Sequence, residues 1–124
     1  MQRRALAALT ILLAAVAMPE AQAQPAPQMS NGMLVSTSGM TLYTFDRDTP
    51  GSGKSACSGP CAALWPPALA GADAKAEGDY TIVVRDDGSR QWADKGRPVY
   101  TYGGDKKAGE TTGDNFKDSW HVIK

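Results

Sequence analysis

Two stretches of this chain, 57 positions apart, carry one pattern: Gly39-Met40-Thr41-Leu42-Tyr43-Thr44-Phe45 lies over Gly96-Arg97-Pro98-Val99-Tyr100-Thr101-Tyr102, and Asp48 over Asp105. In this register Leu34-Val35 falls on Gln91-Trp92. Each copy ends on a tryptophan, Trp65 22 residues after Tyr43 and Trp120 20 residues after Tyr100. A lone hairpin is marginal in water, so two such units must bury their apolar faces on one another to make a core. The repeat units, about 33–67 and 90–124, predict one pseudo-two-fold domain.

Short runs rich in β-branched and aromatic residues, bounded by Gly, Asp, Asn or Pro, predict strands over 33–37, 41–45, 80–85, 90–93, 98–102 and 120–123. No long window has helical periodicity. The fold class is therefore mainly β: a small antiparallel domain of two hairpin repeats with one or two short helical turns. Ser38-Gly39, Asp86-Asp87-Gly88-Ser89 and Asp94-Lys95-Gly96-Arg97 read as hairpin turns, whose glycines supply positive φ. Gly59 as cap and Pro60 as first helical residue predict one turn over 60–64, stopped by Pro66-Pro67, with 115–119 as its counterpart. Residues 24–31, rich in Pro, Gln and Ser, read as a flexible lead-in to a domain over 32–124.

Residues 1–23 read as a secretory signal. Arg3 and Arg4 precede an apolar stretch from Ala5 to Ala17, and Ala21-Gln22-Ala23 offers a small-x-small cleavage pattern. Pro19-Glu20 ends the run short of the roughly 20 residues a membrane span needs. The expected product is periplasmic or secreted, with no membrane insertion after cleavage. It carries 11 basic and 12 acidic side chains, which gives no electrostatic footprint for nucleic acid. In an oxidising compartment Cys57 and Cys61, the only cysteines, are expected to be bridged. Gly59-Pro60 between them breaks the regular helical spacing that would hold two such Cβ atoms too far apart.

Tyr43-Thr44-Phe45-Asp46-Arg47-Asp48 and Tyr100-Thr101-Tyr102-Gly103-Gly104-Asp105 both fit Tyr-x-(Phe/Trp/Tyr)-x-x-Asp. With Cys57-Ser58-Gly59-Pro60-Cys61-Ala62-Ala63-Leu64-Trp65-Pro66-Pro67, and Gly113-Asp114-Asn115 before Trp120-His121-Val122, the pattern closely resembles the bacterial secreted-repeat family, whose members are often described as predicted lipoproteins and whose function is unknown. The likeness spans nearly all of 32–124. No cysteine stands near the cleavage point to accept a lipid, a departure from the lipoprotein form.

Side-chain alternation puts Tyr43 beside Phe45 and Tyr100 beside Tyr102. These rings, with Trp65, Trp92 and Trp120, are read either as core or as the floor of a binding face with Asp48 and Asp105 at its rim. The leading functional expectation is a non-enzymatic module that binds a protein or small molecule of the cell envelope. A second is a redox or copper-handling accessory, in which Cys61 at a helix start, Cys57, His121, and Met33 or Met40 offer soft ligands. The C-x3-C spacing is not that of thioredoxin-like sites. His121, the only histidine, has no nucleophile in a recognisable motif beside it, so no catalytic residue is assigned and a hydrolytic enzyme ranks third and last among the readings. The acidic loops at Asp46, Asp48 and Gly51, at Asp105 and Gly109, and at Asp114 and Asn115 lack the EF-hand pattern and read as turns, so no cofactor is assigned.

Overall fold

Tyr43 and Tyr100 sit back to back at the centre of the molecule: each backbone N–H donates to the other's carbonyl, at 2.8 and 3.0 Å. This antiparallel bridge marks the pseudo-two-fold axis between the repeats. The computed structural model describes residues 23–124 and carries seven strands there: β1 (Gln28–Ser30), β2 (Met33–Val35), β3 (Tyr43–Phe45), β4 (Tyr80–Val84), β5 (Arg90–Asp94), β6 (Arg97–Pro98) and β7 (Trp120–Val122). Helix α1 (Pro60–Leu64) and a 3-10 turn (Phe116–Asp118) complete the described elements. The mainly antiparallel β fold with short helical turns is the one the strand and turn pattern predicts. The signal-peptide reading lies almost wholly outside the described residues.

The repeats are interlaced. β3, from the first copy, pairs with β7, from the second, in the register Tyr43↔Val122 and Phe45↔Trp120. Reciprocally, Tyr100 bridges Pro67, and Thr101 and Gly103 donate to the carbonyls of Pro66 and Leu64 at 2.8 and 2.7 Å. Each copy therefore lends its tryptophan segment to the other's hairpin. The first strands repeat the exchange, since Leu34 N–H bonds the Ile123 carbonyl and Trp92 N–H that of Ala68, both at 2.8 Å.

These bonds also correct the register within the copies. Leu42 N–H donates to Leu34 as Val99 N–H donates to Trp92, so Leu34 corresponds to Trp92 and not to Gln91. The turn between Val35 and Thr41 holds one residue more than the one between Ala93 and Pro98. The shorter turn is a two-residue connection with positive φ at both Lys95 (50°) and Gly96 (84°), the backbone twist that suits a tight hairpin.

Residues 24–31 are ordered, not a flexible lead-in. β1 lies antiparallel to β2 through a matching Asn31-Gly32 turn with φ of 51° and 80°. Gln24 N–H bonds the Leu69 carbonyl, and its own carbonyl accepts from the Trp92 indole at 2.8 Å. Polar composition hid this strand, because its side chains are exposed and only its backbone is engaged.

Strand alternation sorts the interior into two cores. Leu42 and Val99 point into an aliphatic cluster with Leu34, Ala68, Ala70 and Trp92. The residues next to them, Tyr43 and Tyr100, point the other way, into an aromatic cluster with Phe45, Trp65, Trp120 and Cys57.

Candidate functional site

The paired Tyr-x-(Phe/Tyr)-x-x-Asp motifs do not form two separate sites. Because the copies are interlaced, the tyrosine of each reaches the aspartate of the other: Tyr43 donates to Asp105 Oδ2 at 2.7 Å and Tyr100 to Asp48 Oδ2 at 2.6 Å. The second oxygen of each carboxylate accepts a backbone N–H from the loop beyond it, Ala56 for Asp48 at 2.6 Å and Thr112 for Asp105 at 2.9 Å. Each motif is thus half of a crossed latch that joins the repeats and anchors both acidic loops.

The two latches differ in their surroundings. Tyr100 also shares a hydrogen bond with Ser55, at 2.6 Å. Arg85 extends that network, donating from Nη1 to Ser55 Oγ and Gln91 Oε1 and from Nη2 to the Cys57 carbonyl, and Gln91 in turn donates to the Val99 carbonyl. Burial raises the Asp48 pKa above the usual carboxylate value, against the opposing pull of the Tyr100 and Ala56 hydrogen bonds and of the Arg85 and Arg97 charges. Burial also lifts both tyrosines well above their usual range, and the bonds to the aspartates push the same way.

The binding-face reading is corrected for Tyr43, Tyr100, Asp48 and Asp105, which are buried and bonded to one another. Tyr43 and Tyr100 have no exposed surface, Trp65 and Trp120 are 2% and 4% exposed, and Phe45, Asp48 and Asp105 are buried too; Tyr102 alone of the set is half-buried. The physical reason is the interlacing, which turns the aromatic face of each hairpin onto the other. Phe45, Trp120, Trp65 and Tyr102 stack in one pseudo-symmetric column, with successive ring centroids 4.2, 3.8 and 4.3 Å apart. Gly113 lets the chain pass this column, since a Cβ there would lie 2.6 Å from the Trp65 ring.

Cys57 and Cys61 are bridged, Cys57 buried and Cys61 half-buried at the start of α1. Bridged sulfurs offer no thiolate, so the alternative copper set of Cys57, Cys61 and His121 is not assembled. His121 instead bonds Asp46 through Nε2 at 2.9 Å and Asn115 through Nδ1 at 3.2 Å. Asp114 accepts the Val122 N–H at 3.0 Å. No group of three or more His, Cys, Asp or Glu gathers among the described residues in a form that could hold a metal ion.

The aromatic column meets the surface in a cleft of about 340 Å³ between α1 and the 3-10 turn. Trp65 and Trp120 lie at its base, Phe45, Pro60, Leu64 and Phe116 form its apolar walls, and Cys61 and Ser119 complete them. Arg47 and Lys117 are the charged residues of the lining. The sequence reading missed Leu64, Arg47, Lys117 and the Arg85 network. Arg85 did leave a signal: it shares strand parity with buried Val83, so it faces inward.

A family model described as a secreted repeat of unknown function matches twice, over residues 28–69 and 81–124, the two interlaced copies. The chain belongs to this secreted-repeat family. The first matched segment takes in β1, in keeping with its place in the fold. No curated protein and no solved structure matches this member of the secreted-repeat family. Among its described residues no helix is long and apolar enough to cross a membrane.

Proposed function

We propose that this secreted repeat is a non-enzymatic binding module of the periplasm or extracellular space, exported by its N-terminal signal, and that it engages its ligand at the cleft between α1 and the 3-10 turn. The observation that carries the reading is the composition of that cleft. Ligand sites are concave and mostly apolar, with a few polar groups that orient the ligand. Here two tryptophans of the central column form the floor, an exposed leucine stands on one wall, and two cations stand at the lining. The motif residues support the site from beneath: the crossed latches hold the two copies, and hence the two walls, in a fixed relation.

The groups the sequence offered for chemistry are engaged with other residues, which supports binding over catalysis. Both buried aspartates are committed to tyrosines, His121 to Asp46 and Asn115, and the sulfurs to each other. The test is an amide chemical-shift screen of the exported protein against small apolar compounds. Shifts clustered at 60–65 and 116–120 are expected. Perturbation confined to other surfaces, or none from any compound, would reject the cleft.

A further inference from the structure

We propose that the cleft takes an apolar monocarboxylate: one ring or branched hydrocarbon against Trp65 and Trp120, and one carboxylate between Arg47 and Lys117. The inference rests on the reading of the cleft as a binding site and names its ligand class. It begins from charge. No carboxylate lines the cleft among the described residues, and Arg47, an exposed residue, makes no hydrogen bond or ion pair among them. Lys117, also exposed, is met only by the face of its neighbour Phe116, with Nζ 5.7 Å from the ring centroid. The adjacent acid Asp46 is engaged by His121, and Asp118 follows Lys117 without lining the cleft. Two uncommitted cations beside an aromatic floor suit an anion with an apolar body, and a guanidinium offers a carboxylate a two-pronged hydrogen bond.

The pseudo-symmetry gives a second, independent argument. Trp65 and Trp120, equivalent in the two copies, stack on one another at the base of the cleft. In the repeat register Arg47 falls on Gly104, and counting back from the two tryptophans Lys117 falls on Ala62. Both cations therefore stand where the other copy has no side chain beyond a methyl group. The cleft carries charge at those two places only, with the Ser119 hydroxyl as a neutral polar neighbour, which gives a ligand with one charged end a place to anchor it. The backbone of Lys117 is itself in the left-handed region, at φ 49°, which sets where its side chain leaves the turn. Size agrees, because a cleft of about 340 Å³ has room for a single ring or branched group with its carboxylate.

Three probes with one body and different heads separate the possibilities: 3-phenylpropionate, 3-phenylpropan-1-ol and 3-phenylpropylammonium, titrated against the exported protein by amide shifts and tryptophan fluorescence. The carboxylate is expected to bind at least tenfold more tightly than the alcohol, and the ammonium more weakly than either. Arg47→Gln and Lys117→Gln should each lower carboxylate affinity several-fold and leave alcohol affinity and the unfolding temperature unchanged. Added salt should weaken the carboxylate alone. Equal affinity for the three heads, with shifts still centred on the cleft, would overturn the anion preference and leave the binding-site reading standing. Failure of all three to perturb the cleft would overturn both.

Discussion

The crossed hydrogen bonds assign a structural role to the motif's two polar positions. Tyr100→Phe leaves a buried carboxylate short of a donor and is expected to cost about 1–3 kcal/mol. The Asp48→Asn change keeps the shape and an acceptor for Ala56. In the double variant the costs should not add, and a coupling of about 0.5 kcal/mol or more in urea unfolding is the expected sign of direct contact. Asp48 also shapes the pH response. Its carboxyl is raised in the native state, so as pH climbs from the usual aspartate value to the raised one the unfolded chain loses its proton first, and stability falls. Below that window the group contributes no penalty, and above it the penalty stands in full. Comparison of urea midpoints across this range should show a steeper decline for the native sequence than for Asp48→Asn. Identical profiles would mean that the burial of Asp48 is not felt as a charge.

Hairpins and staples decide which elements persist. Gly32 and Gly96 hold equivalent places in two tight turns, both at positive φ, yet a Cβ at Gly32 meets open space while one at Gly96 comes within 2.8 Å of the Gly51 backbone. Gly32→Ala should therefore cost only the left-handed penalty, about 1–2 kcal/mol. Gly96→Ala should cost distinctly more, because the loop carrying Gly51, whose N–H bonds the Gly96 carbonyl, has to move. Thermal melts of the pair measure the difference directly. The Cys57–Cys61 bridge closes a short loop, and its removal in a Cys57→Ser, Cys61→Ser variant is expected to cost about 2 kcal/mol on the chain-entropy account. That loss should appear as a lower unfolding temperature that reductant no longer shifts.

At the scale of the whole molecule, interlacing makes the two repeats one cooperative unit. Each copy's tryptophan segment completes the other's sheet, so neither half retains a closed core alone. Fragments cut within the exposed segment around Lys75 should each be unfolded by circular dichroism, and an equimolar mixture should regain the native spectrum. Independent folding of either half would contradict the crossed pairing. The same architecture explains why the aromatic face is internal. Two amphipathic hairpins have no other large surface on which to bury their rings, and Phe45, Trp120 and Trp65 of the stacked column reach the surface at the cleft.

Much of this was legible from local chemistry. The 57-residue repeat announced two copies, alternation placed Tyr43 with Phe45 and Tyr100 with Tyr102, Gly59-Pro60 marked the start of α1, and the lone cysteine pair pointed to the bridge. Each of these depends on residues close in the chain or on a count within it. What the tertiary structure alone decided is partnership across the chain. Tyr43 finds Asp105 and Tyr100 finds Asp48, 62 and 52 residues away, although each has a motif aspartate five residues on. No local pattern distinguishes a tyrosine that bonds within its copy from one that bonds across the axis, because both satisfy the same spacing. Polar β1 escaped notice for a related reason, since backbone pairing with a distant strand leaves no trace in side-chain polarity. Arg47 and Lys117 likewise meet in one lining only because folding brings residues from the two copies to one cleft.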